Sequence, residues 1–166
     1  MLLVETFVGP STIEGVGVFA VSRIRKGTKL WAFHEAFDHL IPEANVAALP
    51  TEVQHFLERY GYRTPEFPGF FVIETDNGRF MNHSPAPNVE FVGQSAGYAT
   101  RTIEAGAELT CDYNALEPGF KLLPSLALTV AKRVSRVSAL RRTARHSAVV
   151  APDPVAVPAD PETVSA

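Results

Sequence analysis

Three short segments carry residues whose types and spacing could do chemistry. In Gly15-Val16-Gly17-Val18-Phe19 two glycines bracket one residue at the entrance to an apolar run. Lacking Cβ atoms, Gly15 and Gly17 let a ligand approach the main chain, so that N–H and C=O groups from Gly15 through Val16 to Gly17 become its contacts. The same pair would also serve a plain turn. In Arg79-Phe80-Met81-Asn82-His83-Ser84-Pro85-Ala86-Pro87-Asn88, two prolines, two asparagines and a histidine interrupt any ladder, which makes this an irregular connection. Asn82 offers a donor and an acceptor on one side chain, which suits a zwitterionic amino-acid group. His83 invites a metal or general-base reading, but no second His, Cys or acid stands at ligand spacing, so no metal site is expected. In Glu108-Leu109-Thr110-Cys111-Asp112-Tyr113 an acidic strand ends in tyrosine. Tyr113 is either a buried aromatic with a satisfied hydroxyl or a catalytic group.

Short strands must position these segments. Leu2–Val8 is apolar and β-branched and is expected to end at Gly9-Pro10-Ser11. Further strands are expected at residues 15–21, 28–33, 70–74, 89–92, 98–103 and 108–113, separated by turns such as Arg25-Lys26-Gly27, Asp76-Asn77-Gly78 and Glu104-Ala105-Gly106. Between the third and fourth strands, residues 42–48 suit a short helix. A better one opens at Thr51, with Thr51 as N-cap or Pro50 setting the first turn, and Gly61 stops it. Strands without regular β–helix–β alternation argue against a doubly wound fold and for a mostly β domain with short helices. After Tyr113 the pattern changes. Phe120, Leu123, Leu126, Val130, Val134, Val137 and Leu140 recur at spacings of three or four, so residues 120–146 read as a basic amphipathic helical extension. Residues 147–166, with Pro152, Pro154, Pro158 and Pro161 among small residues and acids, read as a disordered tail.

Composition bounds the function. The 166 residues suit one domain, here residues 1–119, plus extensions. The single cysteine, Cys111, can form neither an intrachain disulfide nor a cysteine-rich zinc cluster, which points to a reducing compartment. The N-terminus lacks the basic region of a signal peptide and no apolar run reaches the ~20 residues of a membrane span, so a cytoplasmic location is expected. Residues 1–120 hold eight basic and fifteen acidic side chains, while residues 121–145 hold seven basic and no acidic ones. That basic segment could contact nucleic-acid phosphates or an anionic lipid surface, or it could dock on the acidic body or stay solvated.

Taken in order, Gly-x-Gly, then Arg-Phe-x-Asn-His-Ser with Pro-Asn shortly after, then Glu-Leu-Thr-x-Asp-Tyr resembles the SET domain family of protein lysine methyltransferases. The likeness spans about residues 3–117. It implies small curved β-sheets in which the Asn-His segment and the last strand meet in a knot-like crossing beneath S-adenosylmethionine. Gly15, Val16 and Gly17 would contact the methionine part of that cofactor through the backbone. Asn82 and the main chain at His83 would hold its amino group and adenine. Tyr113 would be the catalytic residue, orienting the amine of a lysine exposed on a protein substrate, rather than acting as a strong base. The chain departs from many members in having Pro85 where they have cysteine, and in lacking a three-cysteine zinc module after the last strand. Phe120 and the helix face after it are expected to close the site instead. Residues 34–69 carry no readable motif, and in this family such a region shapes substrate choice. Phe33, Tyr60 and Tyr62 would line the lysine channel or serve as core. Two other readings stay open: a non-catalytic SET-like binding module, and an unrelated small β domain.

Overall fold

The computed structural model describes residues 1–93 and 96–121. The expected helical extension, apart from Phe120 and Lys121, and the expected tail lie outside them. Among the described residues, nine strands form three small sheets, with a few short helices between them. The mostly β architecture read from the sequence is therefore correct.

The first sheet has the order β1 (Thr6–Pro10), β2 (Val16–Ala20), β9 (Glu108–Cys111) and β6 (Asn82–His83). Gly9 and Pro10 belong to β1 rather than to the turn after it, because Pro10 occupies the last position of an edge strand and pairs with Val16. β6 runs parallel to β9, placing Asn82 beside Thr110 and His83 beside Cys111. The two motif segments thus become neighbours through a crossover of more than twenty residues, as parallel pairing requires.

That crossover contains β7 (Val89–Val92) and β8 (Ala96–Ala99), which form a second sheet with β3 (Lys29–Ala32) in the order β3-β8-β7. β8 lies earlier than the alternation at residues 98–103 predicts. Ala96 and Gly97 are weak strand formers, but they sit between two partners that satisfy their backbone. The missing side chain at Gly97 leaves room for Trp31 and Phe91, which meet edge to face at 5.1 Å. Ile103 keeps only an isolated bridge to Ile24.

The third sheet pairs β4 (Asp38–Pro42) with β5 (Phe70–Glu74) and sets Asp38 opposite Glu74. β4 has no clean alternation, and its registration depends on β5. Helices α1 (Glu43–Val46) and α2 (Thr51–Tyr60) fill the connection. α2 starts after Pro50 with no side-chain cap, and Gly61 ends it in an extended conformation. The core gathers around Trp31, Leu30, Val18, Leu109, Val89 and Ile103, all almost fully buried. Apolar burial of this kind is worth about 1.5–3 kcal/mol per large side chain and holds the first two sheets together.

Candidate functional site

Each motif is held in place by a bond to another one. Gly15 adopts φ +48°, a left-handed turn that bends residues 11–15 over the start of β2. Asn82 is buried, and its amide donates to the carbonyls of Glu14 (3.2 Å) and Val16 (3.0 Å) and to a Glu108 carboxylate oxygen (2.8 Å). The hydroxyl of Ser11 donates to the same carboxylate at 2.9 Å. Gly17 makes room for this arrangement: a Cβ there would lie 2.1 Å from Glu108 Oε1. Glu108 thereby ties the glycine turn, β9 and Asn82 into one unit.

Asn88 does comparable work on β9. It is buried, its amide donates to the Glu108 carbonyl at 2.7 Å, and its side-chain oxygen accepts the Thr110 N–H at 2.8 Å. The side chain thus stands in for a strand neighbour and leaves the end of β9 fixed where it delivers Tyr113.

Tyr113 opens a short helix, α3 (Tyr113–Leu116), capped by the Asp112 carboxylate, which accepts the Asn114 N–H. Its hydroxyl donates to the Met81 carbonyl at 2.7 Å, and its backbone N–H donates to His83 Nδ1 at 3.2 Å. The ring meets Phe120 edge to face at 5.1 Å. Burial, reinforced by nearby acids and opposed by Arg59, pushes the phenol well above its ordinary range. It is therefore a neutral hydroxyl at physiological pH, able to orient but not to act as a phenolate base.

A cavity of about 460 Å³ lies among these groups. Gly15, Val16, Asn82, His83 and Tyr113 all line it, while Gly17 stands behind the wall against Glu108. Of the three aromatics read as channel or core, Tyr60 and Tyr62 line the cavity. Phe33 instead packs against Phe67 at 4.8 Å. Phe120, expected to help close the site, also lines it.

Sequence reading missed four charged residues of the wall, Glu14, Glu58, Arg59 and Glu74. Arg59 of α2 pairs with Glu14 at 3.1 Å, linking the helix to the glycine turn. Glu74 at the end of β5 is almost fully buried. Glu58 is exposed at the rim. No single motif announces them, because their places depend on how α2, β5 and the glycine turn pack. Among the described residues, no three His, Cys, Asp or Glu side chains cluster as a metal site. No helix among them is long and apolar enough to cross a membrane.

Small sheets, with an Asn-His strand parallel to a final strand that delivers a tyrosine, define a SET-type fold. A family model for the SET domain matches residues 15–114, and the chain belongs to this family, whose members are in general S-adenosylmethionine-dependent protein lysine methyltransferases. No curated protein matches the chain. Among solved structures, a Plasmodium falciparum protein designated a candidate histone methyltransferase is 20% identical with a TM-score of 0.48, over 68% of this chain and 95% of that one. A humanized mutant of the Chaetomium thermophilum Polycomb Repressive Complex 2, bound to the inhibitor GSK126, is 23% identical with a TM-score of 0.50. That match covers 69% of this chain and 15% of that one. Apo ctPRC2 with two substitutions in Ezh2 is 19% identical with a TM-score of 0.52, over 69% and 16%. At these identities the structural likeness bears on fold.

Proposed function

We propose that this chain transfers a methyl group from S-adenosylmethionine to a lysine side chain of a protein substrate. The observation that carries the proposal is the convergence of Gly15, Val16, Asn82, His83 and Tyr113 on one cavity, with the Tyr113 hydroxyl held neutral at its wall.

The residues present fit the cofactor. The cavity lies within the ~300–1,000 Å³ usual for small-molecule sites. Its wall offers what a zwitterion needs. The Asn82 amide and the carbonyls it organises at Glu14 and Val16 supply oxygen acceptors for an ammonium, and Arg59 supplies a cation for a carboxylate. When bound, the cofactor supplies an electrophilic methyl group on a sulfonium.

What this chain contributes is position and dryness. Methyl transfer to an amine is an in-line displacement, and fixing the two reactants can supply up to about 7–11 kcal/mol. The Tyr113 hydroxyl stands on the Met81 carbonyl just before β6, and His83 receives its N–H, so the hydroxyl has little freedom. That fixed hydroxyl orients the amine lone pair. Phe80, Tyr60 and Phe120 exclude water from the same space, which disfavours the charged form of the amine. The protein that carries the lysine is the partner implied by this reading.

The division of labour can be tested by calorimetry of S-adenosylhomocysteine alongside turnover. Asn82→Ala is expected to weaken binding at least tenfold. Tyr113→Phe is expected to bind normally and lose transfer by about 100-fold or more, the scale of loss when reactants are misplaced. Unchanged turnover in Tyr113→Phe would remove Tyr113 from this role, and no binding by the wild type would remove the cofactor.

A further inference from the structure

Methylation needs a neutral amine, yet a lysine arrives as an ammonium, so a proton has to go somewhere. Of the acids on the cavity wall, Glu14 is tied to Arg59, and Glu58 is exposed where water already competes. Glu74 differs from both. It closes β5 with 6% of its surface exposed, and its Oε2 is buried with no hydrogen-bond partner among the described residues. That oxygen packs against Gly78, in the turn that leads to Asn82.

A buried carboxyl with an unanswered oxygen is costly unless something answers it. Most of the groups around Glu74 do not, apart from the neighbouring Trp31 indole N–H and the Met1 amino group, which favour its charged form. Asp38 faces it across the β4–β5 pair, Asp76 follows it in the turn, and Tyr62, Cys111 and Tyr113 flank it from the cavity side. The Trp31 indole N–H lies close by without meeting hydrogen-bond geometry, and the Met1 amino group is engaged by Asp38 at 3.0 Å. The surroundings thus hold excess negative charge and an open acceptor, on the wall that Tyr113 shares.

Resting on the methyltransferase reading above, we propose that Glu74 receives the substrate lysine, pairing with its incoming ammonium and taking one proton from it. One N–H bond of the ammonium breaks with its electron pair left on nitrogen, and one O–H bond forms on Glu74. The neutral amine then holds the lone pair that transfer requires, and Glu74 returns its proton to solvent after product leaves. Burial helps at both ends. It raises the Glu74 carboxyl from 4.5 to about 7 and lowers a desolvated ammonium from its ordinary value near 10.4, which narrows the gap between donor and acceptor. Tyr113, held as a neutral phenol, is no competitor for the proton.

The test uses the full chain saturated with S-adenosylhomocysteine, and n-butylammonium at pH 8 as a probe shaped like a lysine side chain. Glu74→Gln keeps the shape and removes the charge. It is expected to weaken butylammonium binding at least tenfold while S-adenosylhomocysteine affinity stays within twofold of wild type. In turnover with a pool of lysine-containing peptides, the wild-type rate is expected to rise through a limb near pH 7 that Glu74→Gln lacks. Equal butylammonium affinity in the two proteins overturns the proposal, as does an unchanged pH profile. Loss of S-adenosylhomocysteine binding in Glu74→Gln alone would make Glu74 structural, which also overturns it. If the wild type fails to bind S-adenosylhomocysteine, the methyltransferase reading itself falls, a result distinct from the others.

Discussion

At the scale of single residues, the glycine turn is defined by what fits against it. Gly17 is required because the Glu108 carboxylate occupies the space its side chain would need. Gly17→Ala is therefore expected to cost about 1–3 kcal/mol through overpacking and to loosen the bond between Asn82 and Glu108. Urea unfolding measures the loss, and an unchanged midpoint would contradict it. Asn82→Ala is expected to cost about as much for a different reason. It leaves the Glu14 and Val16 carbonyls and the Glu108 carboxylate without their shared donor. Gly15, Val16, Asn82, His83 and Tyr113 were legible because the motifs name them directly. Glu108 was visible only as part of a strand, and its partnership with Ser11, Gly17 and Asn82 spans up to 97 positions of sequence. Glu74 and Arg59 gave no local signal, since an acid closing a strand or a base on a helix is ordinary until packing gives it a neighbour.

At the scale of elements, the structure depends on side chains acting as strands. Asn88 supplies two hydrogen bonds to the backbone of β9, so Asn88→Ala is expected to cost about 2 kcal/mol and to release the strand end that carries Tyr113. Hydrogen exchange at Thr110 would show it, as faster exchange relative to the Val18 and Leu109 region of the same sheet. Strands β5 and β7 and helix α2 coincide with their sequence patterns, because each has strong local periodicity and clear punctuation. β4 and β6 were not legible. β4 mixes Asp, His and Pro and exists because β5 pairs with it, and β6 is two residues long and exists because β9 lies beside it. β8 was misplaced because Gly97 reads as a turn, whereas between two partner strands its small size is what admits Trp31.

At the scale of the whole molecule, the buried acid makes stability depend on pH. In the fold Glu74 loses its proton near pH 7, and in the unfolded chain near 4.5, so between these values the folded chain holds the extra proton. The stability this group contributes is full below pH 4.5 and declines as pH rises toward 7. The difference corresponds to about 3 kcal/mol at full extent. Glu74→Gln, neutral at every pH, is expected to match wild type near pH 4 and to exceed it by about 1–3 kcal/mol at pH 8. Chemical denaturation at the two pH values decides it, and parallel stabilities would contradict the account.

The central claim is transfer of a methyl group to protein lysine. Its most direct test is incorporation of label from methyl-labelled S-adenosylmethionine into a proteome extract, with the full chain and with Tyr113→Phe. Labelled lysine is expected in protein bands with the wild type, and none above background with the variant. Equal labelling by both, or no label from the wild type together with no measurable cofactor binding, would contradict it.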